Sequence, residues 1–291
     1  VATPFNVGLF GVQYARKHGI PLVASYHTHF DEYLRYYNLS FMEKWIWHYM
    51  RWFHRPAKKV YVPSQSTKEK LLHHRVHNNL EIWPRGVDHY FFSPAHYSPD
   101  IRHQYGQGKR ILALYVGRLA PEKDVPTAIH SFLSLPKPVI KQTQLIIVGD
   151  GPLYSDLCQV NSPHITLAGF KQGRELAQLY ASSDLFLFPS PTETFGNVVL
   201  EAMASGLPVI GANGGGVKHL VQEGQNGYLC PPRDVRAFRH ALLKLVTEHG
   251  LRLQLGRNSR LLALQHSWTE VFQRLVESSQ EVSERNHQAS A

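Results

Sequence analysis

Apolar residues in this chain come in short bursts, and stretches with helical spacing separate them. The bursts at 21–27, 59–64 and 80–86 carry Val, Ile, Tyr or Trp and are bounded by turn residues, which predicts three strands. Their alternation with helical stretches is that of a parallel α/β sheet. From Arg110 onward the alternation is regular. Bursts at 110–117, 143–150, 164–169, 185–190, 208–212 and 227–232 predict six further strands. The helical pattern over 234–249 places Val235, Phe238, Leu242, Leu245 and Val246 on one face, behind Asp234 as N-cap. The turn- and proline-rich segment 85–100 has no clear period and reads as a linker, and the last residues, 283–291, read as disordered. Six strands with crossover helices predict a doubly wound domain, whose ligands lie beyond the carboxyl ends of the strands.

At 291 residues, with 43% apolar content, the chain has material for two packed cores. No apolar run approaches the roughly 20 residues that span a bilayer. Cys158 and Cys230 are too few for a disulfide framework, so a cytoplasmic protein is expected, and the triplet Asn38-Leu39-Ser40 then carries no glycan. The net charge of +9 is unevenly placed: residues 1–110 hold 15 Lys/Arg against 7 Asp/Glu, and residues 111–291 hold 16 against 15. An anionic partner for the N-terminal part follows. A nucleic acid is not expected, because no nucleic-acid-binding module is recognisable.

The candidate chemistry sits at the predicted strand ends. The segment 191–206, PTETFGNVVLEAMASG, joins a strand to a helix through a turn, with Glu193 before Gly196 and Glu201 in the helix. A helix N-terminus receives anions through its unpaired N–H groups, and the two carboxylates suit vicinal hydroxyls, a combination that fits a sugar nucleotide. The turn Gly117-Arg118-Leu119-Ala120-Pro121-Glu122-Lys123 places two cations at the end of another strand, where they can neutralise a diphosphate; a solvated basic loop is the alternative. Gly149-Asp150-Gly151-Pro152 ends the next strand, as a turn with or without a ligand. Gly214-Gly215-Gly216 permits close approach of backbone to phosphate or sugar, or is simply a flexible loop. Between Phe41 and Arg55, Lys44, His48, Arg51 and Arg55 form one helical stripe, with Met42, Trp45, Ile46, Tyr49, Trp52 and Phe53 read as the opposite face. That helix is either a core helix with a solvated basic side or an interfacial helix on anionic lipid.

In this order, GRLAPEK, GDGP, ETFGNVVLEAMASGLPVI, GGGV and GQNGYLCPPRD resemble the nucleotide-binding half of the retaining GT-B glycosyltransferases of family 4, glycosyl transferases group 1. The segments SYHTHFDEYLRYY, FHRPAKKVYVPS and IWPRGVDHYFFSP resemble the N-terminal half of lipid and mannosyl transferases of that family. The resemblance implies two Rossmann-like parallel-sheet domains facing a cleft. Residues 1–104 would be the C-terminal part of the acceptor-side domain plus linker, 105–266 the nucleotide-sugar domain, and 267–291 a helix crossing back to the first domain. The family normally has about a hundred residues before the segment where Val1 stands, so the N-terminal domain is expected to be incomplete and its catalysis in question.

The implied activity is retaining, metal-independent transfer of a hexose from a UDP- or GDP-sugar to a lipid or small polyol, with no cofactor. A truncated, non-catalytic nucleotide-sugar-binding protein is the alternative. By resemblance, Arg118 and Lys123 bind the donor diphosphate, Glu193 contacts the transferred sugar, and Glu201 holds the ribose hydroxyls. Backbone N–H groups of Phe195, Gly196 and Asn197, with the turns at Gly117, Gly149 and Gly151, receive the rest of the donor. His27 matches the N-domain histidine beside the donor sugar. The membrane-associated members of the family favour peripheral contact with the inner face of a membrane through 41–59. No Asp-x-Asp pair offers a carboxylate metal site. A dehydrogenase is disfavoured because Tyr154 stands where its fingerprint wants a third glycine.

Overall fold

The structure is a computed structural model that describes residues 1–2, 4–37 and 39–290; Asn38 of the acceptor triplet lies outside them. The chain divides into two compact units, Val1–Gly86 with Trp268–Ala291, and Val87–Ser267. Both are α/β units built on parallel sheets.

In the first unit, β1 (Val23–Ser25), β2 (Lys59–Val62) and β3 (Leu80–Ile82) form a parallel sheet in that order. The final helix, Trp268–Ser290, belongs to this unit. Lys59 Nζ bonds Glu81 at 2.6 Å and Ser278 Oγ at 2.7 Å, and Trp83 Nε1 donates to the Val271 carbonyl at 3.1 Å. Residues 283–290, read as disordered, continue this helix. Their lack of an apolar stripe hid a helix that is fixed further upstream, by Val271 and Ser278.

The helix Glu43–His54 also departs from expectation. Its buried residues are Trp47, Met50, Phe53 and His54, while Trp45 is 75% exposed and Trp52 50% exposed. At 3.6 residues per turn, Trp45 and Trp52 lie one above the other beside the stripe of Lys44, His48, Arg51 and Arg55. The aromatic and basic residues therefore share the solvent side, and the core takes a third face.

The second unit holds β4 (Ile111–Val116), β5 (Thr143–Val148), β6 (Ile165–Gly169), β7 (Leu185–Phe188), β8 (Val209–Ala212) and β9 (Gly227–Cys230). All pairs are parallel, in the order β6-β5-β4-β7-β8-β9. Every residue of β4, β5, β7 and β8 is buried, as a sheet covered by helices on both faces requires. The chain starts at the centre with β4, steps outward to β6, then returns to β7 on the other side of β4. The crevice between the ends of β4 and β7 is thus the topological switch point where such sheets bind ligands. The helix Val235–Thr247 starts as its sequence dictates, with Asp234 Oδ1 accepting from the N–H groups of Arg236 and Ala237, each at 3.0 Å.

The segment 87–104, grouped from sequence with the first domain as its linker, packs with the second unit. Arg102 bonds the Ser182 carbonyl at 2.7 Å and Asp184 at 2.9 Å, and Ser98 N–H donates to Ser182 Oγ at 2.9 Å. Its short helices, Pro94–His96 and Pro99–Gly106, are too brief to show a period.

Candidate functional site

Two turns at the ends of β4 and β5 interlock. Gly149 has φ +146°, and a Cβ there would stand 1.9 Å from the Gly117 carbonyl oxygen. At Gly151, with φ +155°, a Cβ would stand 2.5 Å from the Leu119 oxygen. Leu119 N–H donates to the Asp150 carbonyl at 2.9 Å, closing the contact. Only glycine satisfies both the dihedral and the approach. Beneath them the fully buried Tyr115 sends its hydroxyl to the Arg118 carbonyl at 3.3 Å.

A cavity of about 570 Å³ opens over these turns, within the range of small-ligand sites. Gly117, Arg118, Gly149, Asp150 and Gly151 form one side; Phe170, Lys171, Val198 and Glu201 complete it. Arg118 is exposed and has no carboxylate partner among the described residues. Glu201 projects from the helix Asn197–Ala204, and its Oε2 accepts from the buried Tyr180 hydroxyl at 3.0 Å. Burial pushes the Glu201 carboxyl up to about 7, against the Tyr180 hydrogen bond, which favours the ionised form. The structure thus gathers Gly117, Arg118, Gly149, Gly151 and Glu201 around one space.

Lys123 and Glu193 meet beside it, across the β4/β7 switch point. Lys123 Nζ lies 2.5 Å from Glu193 Oε1, which also accepts from Ser190 Oγ at 2.9 Å. The expected diphosphate and sugar groups are therefore paired to each other here. Gly196 precedes the helix with φ +103°, a conformation that favours glycine. Phe195 and Gly196 are buried and Asn197 is exposed; among the described residues the backbone N–H groups of these three have no acceptor.

The triglycine approaches a backbone, and that backbone is the Glu193 turn. A Cβ on Gly214 would stand 2.8 Å from the Pro191 oxygen, one on Gly215 2.3 Å from the Glu193 oxygen, and one on Gly216 2.4 Å from Phe195 Cα. Gly216 N–H donates to the Glu193 carbonyl at 2.6 Å.

His27 lies in the first unit, after β1. Its Nε2 is 2.8 Å from Ser25 Oγ and its Nδ1 2.6 Å from an Arg85 guanidinium nitrogen. Burial, then Arg85, push its imidazole down to about 4, so it is neutral at physiological pH. Both ring nitrogens are engaged.

Sequence reasoning missed Phe170, Lys171 and Tyr180. The first two follow β6, and the strand-end rule applied to GFKQG would have found them. Tyr180 lies in the last turn of the helix Gly173–Ala181, 21 positions before Glu201, and has no local signal. Among the described residues, no group of three His, Cys, Asp or Glu gathers as metal ligands, and no helix is long and apolar enough to cross a membrane.

Two parallel-sheet α/β units, one with a cavity at its strand ends, define a protein of the GT-B class. The profile of the family described as Glycosyl transferases group 1 matches residues 98–262, and that of Glycosyltransferase Family 4 matches residues 1–91. The chain is 35% identical to the sulfoquinovosyl transferase SQD2 of Arabidopsis thaliana over 272 residues, covering 90% of this chain and 52% of that protein. It is 34% identical to a GDP-mannose-dependent alpha-mannosyltransferase of Mycobacterium tuberculosis over 283 residues, covering 95% and 70%. The sucrose-phosphate synthase of Thermosynechococcus elongatus shares the fold with a TM-score of 0.80 at 23% identity, over 96% of this chain and 72% of that one. Anabaena HepE in complex with UDP does so with a TM-score of 0.80 at 22% identity, over 94% and 76%. The chain belongs to the glycosyl transferases group 1 family of GT-B glycosyltransferases.

Proposed function

We propose that the chain transfers a hexosyl group from a nucleoside diphosphate sugar to a lipid or small polyol, with retention of configuration and without a metal. One observation carries the donor assignment: the strand-end cavity sets Arg118, without a carboxylate partner among the described residues, on one side and the half-buried Glu201 carboxyl on another. In this reading Glu201 accepts from the ribose hydroxyls, and the exposed ring of Phe170 offers a face for the base. Arg118 and Lys123 meet the diphosphate, with the N–H groups of Phe195 to Asn197, and Glu193 takes the sugar hydroxyls. Charge that grows on the leaving diphosphate is then stabilised by fixed donors, each worth ~3–4 kcal/mol in such sites. His27 is assigned to the transfer step. The names of the relatives support GDP-mannose as donor and an α-linked product, while the UDP bound by HepE keeps UDP-sugars in the reading.

The helix Glu43–His54 supports a membrane-associated acceptor. Phe41, Trp45 and Trp52 stand out beside Lys44, Arg51 and Arg55, the mixture that inserts rings at the headgroup level and pairs with anionic lipid. Binding to sucrose-loaded vesicles with and without phosphatidylglycerol tests this: the expected result is charge-dependent binding lost in W45A/W52A.

The donor reading is tested by thermal shift and calorimetry with UDP-glucose and GDP-mannose, followed by assay of transfer to diacylglycerol and glycerol. A raised midpoint with one donor is expected by linkage. No shift with either at millimolar concentration sinks the donor site; binding without transfer leaves a nucleotide-sugar-binding protein.

A further inference from the structure

The Arg85 guanidinium is half-buried yet has no carboxylate partner among the described residues. Three acids of its own unit, Asp31, Glu32 and Glu81, are engaged with lysines: Asp31 and Glu32 lie 2.7 and 2.6 Å from Lys70, and Glu81 lies 2.6 Å from Lys59. Two other shielded arginines that lack an acid, the buried Arg252 and the half-buried Arg260, are supplied with carbonyls. Arg252 donates to the Leu245 and Val246 oxygens at 2.7 and 3.2 Å, and Arg260 donates to the carbonyls of Phe92, Ala204 and His89. Among the described residues the Arg85 guanidinium has a single hydrogen bond, 2.6 Å to His27 Nδ1, and one ring contact, its carbon 4.9 Å from the Trp83 centroid. A guanidinium only donates, so Nδ1 is the acceptor and the His27 proton sits on Nε2, facing Ser25 Oγ.

Most of the five N–H donors of Arg85 are thus unused, on a cation that burial disfavours without an offsetting charge. The place adds meaning. Arg85 follows β3 and His27 follows β1, so both lie beyond the carboxyl ends of a parallel sheet, the side on which such sheets receive ligands. A planar fork of free donors suits an oxyanion in bidentate geometry.

We propose that Arg85 is an oxyanion-binding residue of the first unit, receiving a phosphate, sulfate or carboxylate group carried by the acceptor or by the transferred sugar. Its role as a substrate subsite rests on the transferase reading; oxyanion binding itself does not. Trp83 holds the guanidinium plane, and His27, through Nδ1, senses whether the fork is occupied. An oxyanion offsets the guanidinium charge and draws the N–H away from Nδ1, so its arrival makes His27 easier to protonate.

The test is 15N-detected titration of the His27 ring in the whole chain, with inorganic phosphate and then inorganic sulfate as probes. Saturable shifts at His27 and a raised protonation midpoint are expected. R85Q should weaken the phosphate response about tenfold or more, a loss of roughly 1.4 kcal/mol, and R85K, which keeps the charge without the fork, should weaken it less. If R85Q does not fold, the R85K comparison decides alone. A His27 ring indifferent to both anions, or an equal response in wild type and R85K, overturns the proposal. Two arms then separate the sources: glycerol against glycerol phosphate as acceptors, and UDP-glucose against UDP-glucuronate as donors. Loss in R85Q of preference for the charged member of one pair identifies the carrier, and loss in neither overturns the substrate assignment. Failure of donor binding would sink the transferase reading while leaving the phosphate titration intact.

Discussion

Replacing Gly215 by alanine tests whether the triglycine serves the Glu193 turn or a ligand. Gly215 has φ +53°, a region that costs a residue with a Cβ about 1–2 kcal/mol. The added methyl would stand 2.3 Å from the Glu193 oxygen, 2.9 Å from its nitrogen and 3.0 Å from the Pro191 oxygen. All three are backbone atoms, with no flexible side-chain end to swing aside. Restoring ordinary contact needs a shift of about 1 Å, and forced overpacking of this kind costs ~1–3 kcal/mol. The sum is a loss of about 2–5 kcal/mol, unless the Glu193 turn moves to relieve it. Such movement displaces the carboxylate from Lys123 and Ser190, and a 1 Å misplacement near reacting atoms costs on the order of 10²-fold in rate. Gly250→Ala is the control, because nothing lies within 4 Å of its Cβ position and it sits in the helix His249–Ala263. Alanine there is expected to be neutral or to stabilise by up to ~1 kcal/mol. Thermal midpoints and calorimetric donor affinity read both variants. A Gly215→Ala protein with the midpoint and donor affinity of the parent refutes the close-approach reasoning.

Three other predictions follow from the same cavity and its surroundings. Glu201 titrates near 7 in the folded chain and near 4.5 unfolded, so the stability of its protonated form is complete below pH 4.5 and is lost as pH rises through 7. Chemical denaturation should therefore find Glu201→Gln more stable than the parent at pH 8, by up to about 3 kcal/mol, and equal to it near pH 4, with weaker donor binding; a stability difference independent of pH refutes the burial argument. Lys123→Met removes the cation that bonds Glu193 and is expected to lower kcat by ~10²–10³; steady-state rates equal to the parent's would exclude Lys123 from the reaction. Cys158 is exposed, whereas Cys230 is buried and its thiol is pushed up to about 12 by burial, then by Glu223 and Asp234. Maleimide should therefore label one site in the native chain by mass spectrometry and two after unfolding.

Much of this was legible in the sequence because the strands announce themselves as apolar bursts, fully buried in β4, β5, β7 and β8, and the ligand side of a parallel sheet follows from strand direction. The glycines of 117, 149 and 151 were legible as turns, but their mutual partners were not, since contact between two backbones leaves no complementary residue type to read. The backbone that the triglycine approaches was hidden for the same reason. Tyr180 is hidden by distance along the chain, and its hydroxyl finds Glu201 only once two helices are placed. In the helix Glu43–His54 the period was right and the face was wrong: Trp45 and Trp52 are as apolar as core residues, and hydropathy cannot tell a ring turned outward from one turned inward.

The two sides of the cavity are held by different means, and that sets where variation is tolerated. The Glu193 turn is locked backbone to backbone against Gly214, Gly215 and Gly216, so most substitutions there meet a hard wall. The stretch after β6 is open: Gly169 and Gly173 have nothing within 4 Å of a Cβ, and Phe170 is 67% exposed. A lineage or a library can exchange Phe170 and Lys171 without disturbing the turns that hold Arg118 or Glu193. In the proposed donor reading, selectivity for the nucleoside can therefore drift independently of the chemistry, with Phe170 and Lys171 as the adjustable pair between Gly169 and Gly173, whose positive φ keeps them glycine.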